Sequence, residues 1–138
     1  MPRMKDMFDF TPVSSWVENF NESTHDANSR TRIFDSFVIL PEIEESARII
    51  LDRIHRMQGC GFFITGLYGS GKTIFLAWLS AILTEPGLRK KFLETKPEWG
   101  MDALAARKLL TINFTAIEDH NQTLDAAFWA AITEHLRS

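Results

Sequence analysis

The chemistry of this chain is concentrated in one run: Gly66, Leu67, Tyr68, Gly69, Ser70, Gly71, Lys72 and Thr73 match G-x-x-x-x-G-K-[ST] at every fixed position. Glycines at 66, 69 and 71 let the backbone turn tightly and take positive φ, so that neighbouring N–H groups converge on a single anion. Lys72 supplies a mobile positive charge for β- and γ-phosphates, and the Thr73 hydroxyl supplies one ligand to Mg²⁺. The chemistry these residue types predict is binding of the triphosphate of ATP with its Mg²⁺. By composition alone the pattern arises by accident in roughly one chain in a few hundred of this length, so its surroundings decide its meaning.

Residues 61–65 precede the loop as Gly-Phe-Phe-Ile-Thr, a short aromatic and β-branched run that predicts a buried strand. From Lys72 to Leu83 the chain is apolar on nearly every face, which predicts a helix covered on both sides, with its N-terminus adding partial positive charge to the phosphate site. Pro86 and Gly87 are read as its end. Upstream, Pro41 suits the first position of another helix, on which Ile43, Ala47, Ile50, Leu51, Ile54 and Met57 form a stripe. Glu42, Glu44 and Glu45 in its first turn and Arg53, His55 and Arg56 near its end complement the helix dipole, and Gly59 is expected to stop it. In many ATPases a segment just before the loop packs on the adenine. Ile39, Leu40 and Pro41 are therefore candidates for a base pocket as well as for plain core.

The rest of the chain is read from the same signals. Residues 7–13 alternate apolar with polar and close on Pro12, as an edge strand or extended arm would. Residues 21–32 have no apolar period and many side chains that compete for backbone hydrogen bonds, which predicts a loop. Residues 88–108 read as an irregular connection with a helix from Asp102 onward, and Arg89, Lys90, Lys91, Lys96, Arg107 and Lys108 within it read as a solvated face. Residues 109–115 predict a second strand, and Leu124, Phe128, Ala131, Ile132 and Leu136 the stripe of a helix over about 122–137. Strand, loop, helix, strand, helix in this order is the opening of an α/β fold, a P-loop NTPase with a parallel sheet and flanking helices, here incomplete. Residues 1–40 would form an arm and loop leading in, and 41–138 the N-terminal part of the NTPase domain.

Hydrolysis would need an acidic residue at the end of a later apolar strand to hold the metal's water shell and orient the attacking water. Glu118, beside Asp119, is the one candidate catalytic residue, but it lies several residues past a strand interrupted by Thr111, Asn113 and Thr115. A turn capping the next helix suits this acidic pair better, so slow or absent turnover is expected.

Composition narrows the class. With 138 residues, 45% of them hydrophobic, the chain is long enough for one domain with a core, and a net charge of −3 argues against a chain devoted to coating nucleic acid. The single cysteine, Cys60, excludes an internal disulfide and reads as a packed thiol, which with the absence of a long apolar run points to a cytoplasmic protein outside the membrane. The four histidines are scattered, with no i, i+4 pair to suggest zinc.

The run from Gly61 through Thr73, the upstream Phe37-Val38-Ile39-Leu40-Pro41-Glu42-Ile43 leading into a helix, and the Phe8-Asp9-Phe10 arm together carry a resemblance. On them the chain resembles the N-terminal part of the large P-loop ATPases of bacteriophage-exclusion (BREX) systems, the BrxC and PglY group, of the AAA-like, additional-strand class. The resemblance covers most of the chain. It implies an ATP-binding segment of a much longer ATPase that couples nucleotide state to other phage-defence proteins or to the remainder of the ATPase. Oligomerisation is implied as well, and DNA would be engaged by the assembly rather than by this segment. The phosphate-loop residues carry over one by one. The acidic, sensor and arginine-finger residues have no counterpart. Two other readings share the loop: a small-molecule kinase or phosphotransferase, which would need a lid and an acceptor pocket, and an interaction module that binds ATP without turning it over.

Overall fold

The computed structural model describes residues 24–67, 69–114 and 123–137. Helix α1 (Ala27–Ser36) begins in the stretch expected to be a loop. The Asp26 carboxylate accepts the Ser29 backbone N–H at 2.9 Å and the Ser29 hydroxyl at 2.9 Å, satisfying a donor that the helix start leaves open. The side-chain competition that suggests a loop here serves as a cap. Ile33 is the apolar residue that this helix buries.

The backbone N–H of Ser29 is the main reason that the Asp26 carboxyl titrates below its ordinary 3.8, with the Ser29 hydroxyl second. A depressed carboxylate pKa stabilises the fold above the unfolded value, and that contribution disappears as pH falls through the folded value. Asp26→Ala should therefore lower the thermal midpoint at neutral pH. Its melting curve should converge with that of the parent once pH lies below both values.

Helix α2 (Pro41–His55) has Pro41 in its first turn, Glu42 and Glu44 near its start and Arg53 and His55 in its last turn, as the sequence predicts. It buries Ala47, Ile50 and Leu51. Its exit differs from expectation, because Met57 rather than a glycine takes the left-handed conformation, at φ 55°.

Helix α3 (Lys72–Thr84) is the centre of the core, burying Phe75, Ala77, Trp78, Leu79, Ser80, Ala81 and Ile82. Trp78 gathers the aromatic rings. Phe37 stacks on it at 5.2 Å between centroids, Phe75 at 6.0 Å, and Phe92 meets it edge-on at 5.1 Å.

Pro86 ends α3 and also opens α4 (Pro86–Glu94), where a proline in the first turn is tolerated because its missing N–H would have no partner there. A 3₁₀ turn (Pro97–Trp99) and the short α5 (Asp102–Ala105) follow. The last described helix, α6 (Leu124–Arg137), leaves Leu124, Trp129 and Leu136 exposed.

The expected α/β P-loop fold with a parallel sheet is overturned: the described residues form a small, mostly helical fold with no strand and no sheet. A strand exists only where a second backbone accepts and donates along it. Among the described residues no backbone hydrogen bond joins 61–65 to 109–114, the two segments with strand-like composition. Each attaches to the helical core by side chains instead. Ile64 and Leu109 pack on the buried cluster, and the Asn113 amide donates to the Ser80 hydroxyl of α3 at 2.8 Å. Phe63 and Leu110 stay exposed.

The basic residues of 88–108 are also not a uniform solvated face. Arg89 is buried and serves as a cap for helix ends. It donates to the Leu83 carbonyl at 2.7 Å and the Leu104 carbonyl at 2.9 Å, to the Ile82 and Ala105 carbonyls at 3.4 Å each, and to the Arg107 carbonyl. Burial pulls its pKa down, although a guanidinium stays charged at neutral pH. Arg107 in turn donates to the Ile54 and His55 carbonyls at 3.0 and 2.9 Å, capping the end of α2. Near the other end of α2, Lys96 pairs with Glu44 at 2.8 Å. Arg30 joins α1 to the α3–α4 corner, donating to Glu85 from two nitrogens at 2.8 and 2.6 Å and to the Thr24 carbonyl at 2.7 Å.

Candidate phosphate-binding site

The loop ending at Lys72 is irregular and exposed, and it runs directly into the N-terminus of α3. Gly69 and Gly71 have φ of 77° and 81°, a conformation that costs an ordinary side chain ~1–2 kcal/mol and glycine almost nothing. No atom lies within 4 Å of where a Cβ would stand on either glycine, so the space beside them is open. At Gly66 the constraint is steric, since a Cβ there would meet the Ser70 hydroxyl at 2.7 Å. All three glycines thus have a local reason.

Gly71 is the cap residue of α3 and offers no side chain to its first N–H groups. The helix start therefore presents open donors and the positive end of its dipole to the loop. Lys72 curls back over that loop. Its ammonium donates to the Gly66 carbonyl at 2.8 Å, the Leu67 carbonyl at 2.6 Å and the Ser70 hydroxyl at 3.2 Å. Three donors meet three acceptors, which fixes the charge beside the open N–H groups. Ser70 N–H donates to the Leu67 carbonyl at 3.2 Å, closing the turn beneath the lysine.

Thr73, the expected Mg²⁺ ligand, is exposed in the first turn of α3, next to Lys72. The residues present fit a Mg-triphosphate: glycines with free space, an uncapped helix start, a positioned ammonium and an adjacent hydroxyl. Mg²⁺ bound there would neutralise phosphate charge, with Thr73 supplying one oxygen. Among the described residues no group of three or more His, Cys, Asp and Glu side chains could hold a metal by itself. Tyr68 and Glu118 lie outside the described residues.

A cleft of about 540 Å³ opens from the loop toward α2. Glu42, Ser46 and Ile49 from α2 line it, together with Phe62 and Phe63, and neither Ser46 nor Ile49 was expected at a site. Ile39 packs on the core, and neither Leu40 nor Pro41 lines the cleft. One signal was available: Ile49 falls outside the α2 core stripe and is 44% exposed, an apolar side chain on the wrong face for packing. Cys60, expected to be packed, is exposed.

No described helix is long and apolar enough to cross a membrane. No protein-family model matches the chain, and no curated protein and no solved structure matches it either.

Proposed function

We propose that residues 66–73 bind the phosphates of Mg-ATP, as the nucleotide-binding part of an ATPase acting in the cytoplasm with partner proteins. The observation that carries this reading is the placement of Lys72, whose ammonium is held on the Gly66 and Leu67 carbonyls directly beside the uncapped start of α3. A cation and free helix N–H groups at one point are what an anion with several oxygens requires. Coupling of nucleotide state to phage-defence partners is supported by the BREX-like sequence pattern around the loop. Binding does not depend on that coupling.

On binding, the Lys72 ammonium would exchange its 3.2 Å bond to the Ser70 hydroxyl for a charge-assisted phosphate contact worth ~1.5–3 kcal/mol, so Lys72→Ala should lower Mg-ATP affinity by more than about tenfold. Lys72 is half-buried and its three acceptors are exposed to water, so the fold should survive. Isothermal calorimetry on the two proteins, with their thermal midpoints compared, checks this. Equal affinities in two folded proteins would end the phosphate-loop reading.

A further inference from the structure

The cleft beside the phosphate loop has a built interior. Ile50 and Phe75 form its floor, each only 7% exposed, and the phosphate end is made by Gly66, Ser70, Gly71 and Lys72. The lining just before the loop is apolar and wet: Phe62 is 43% exposed and Phe63 97%. An aromatic ring left almost entirely in water gives nothing to the stability of the fold. Here it stands a few residues before the loop, on the wall of a cleft whose volume lies in the range that small ligands occupy. A bare phosphate chain has no surface for such a ring to cover.

We propose that this cleft is the nucleoside half of the phosphate site, with a planar base held between the Phe62–Phe63 pair and the Ile43–Ile49 face of α2. The inference rests on the phosphate-loop reading above and adds to it the ligand's second half. The base takes the apolar end, the sugar bridges past Ser46 and Thr65, and the phosphates reach Gly71 and Lys72. Stacking on Phe63 tolerates any base, because every base has a π-face. The subsite therefore selects for a nucleoside triphosphate over inorganic polyphosphate before it selects among bases. It also moves base recognition off residues 39–41 and onto α2.

The test compares Mg-ATP with Mg-tripolyphosphate by calorimetry on the full chain. The parent should bind ATP more tightly than tripolyphosphate. Phe63→Ala should weaken ATP by about tenfold, within the range of one base–aromatic stack, and leave tripolyphosphate unchanged. Ile49→Ser, on the facing wall, should weaken ATP in the same selective way. Because Phe63 is 97% exposed, its replacement should not move the thermal midpoint, which serves as the control. Equal affinity of the parent for the two ligands would overturn the base subsite, as would a Phe63→Ala variant that weakens neither ligand or both alike. Lys72→Ala separates the two readings. If it weakens both ligands while Phe63 proves indifferent, the phosphate loop stands and the base subsite falls. If neither ligand binds the parent, both fall.

Discussion

Arg89→Ala should remove a large share of the stability of this fold. The guanidinium is 1% exposed and its donors reach five backbone carbonyls, of Ile82, Leu83, Leu104, Ala105 and Arg107. Two of them belong to the last turns of α3, where a positive charge also meets the negative end of the helix dipole. Alanine leaves these acceptors facing a void. Each unsatisfied buried acceptor costs about 1–3 kcal/mol, and the sites that water can reach recover part of that, so a total loss of about 3–5 kcal/mol is expected. Small domains have only about 5–15 kcal/mol in all. Urea denaturation of the parent, Arg89→Ala and Arg89→Lys checks this. Lysine keeps the charge but not the planar fork, and should recover only part of the loss. An alanine variant within about 0.5 kcal/mol of the parent, the range of ordinary surface substitutions, would mean that Arg89 is not the clasp described here.

Trp78→Ala should cost a similar amount through a different cause. Trp78 is 1% exposed and lies against Phe37, Phe75 and Phe92. Deleting the indole loses its transfer energy and leaves a cavity that three rings on separate parts of the chain cannot easily fill, about 3–5 kcal/mol in all. Trp78→Phe should lose less, because it keeps the edge-on partner for Phe92 in a smaller ring. Calorimetric midpoints for the three proteins read the order directly. A phenylalanine variant as unstable as the alanine one would show that a phenyl ring cannot pack in the place of the indole, and that neither its volume nor its contact with Phe92 is recovered.

Much of the helical scaffold could be read in advance. Pro41, the acidic first turn and the apolar stripe mark α2, and the apolar run after Lys72 marks α3. The turn geometry of residues 66–72 was legible for a local reason, since positive φ at Gly69 and Gly71 and the reach of Lys72 are properties of consecutive residues. Helix α1 was missed because its only strong signal is a cap, Asp26 on Ser29, inside a polar stretch. Helix α4 was hidden by reading Pro86 as a stop when it also serves as a start.

Residues 61–65 and 109–114 depart furthest from the sequence expectation. β-branched and aromatic composition says that a segment suits a sheet, whereas membership needs a partner backbone, which composition does not supply. The cleft was illegible for the same kind of reason. Glu42, Ser46 and Ile49 share one face of α2, but only the tertiary placement of α2 against Phe62 and Phe63 makes that face a wall.

The two contacts that hold α2 from outside have a mechanical consequence. Helix α2 is 15 residues long, about 22 Å, and if pinned at one end only it would behave as a lever. A swing of about 5° would then carry its free end roughly 2 Å, enough to spoil a stacking distance. It is buckled at both ends by the same stretch of chain, Lys96 to Glu44 near the start and Arg107 to the Ile54 and His55 carbonyls at the finish. The stretch between Lys96 and Arg107 is thus a strap laid along the helix. On the base-subsite proposal a ligand would find that wall already set, and ordering it would add little to the entropic cost of binding.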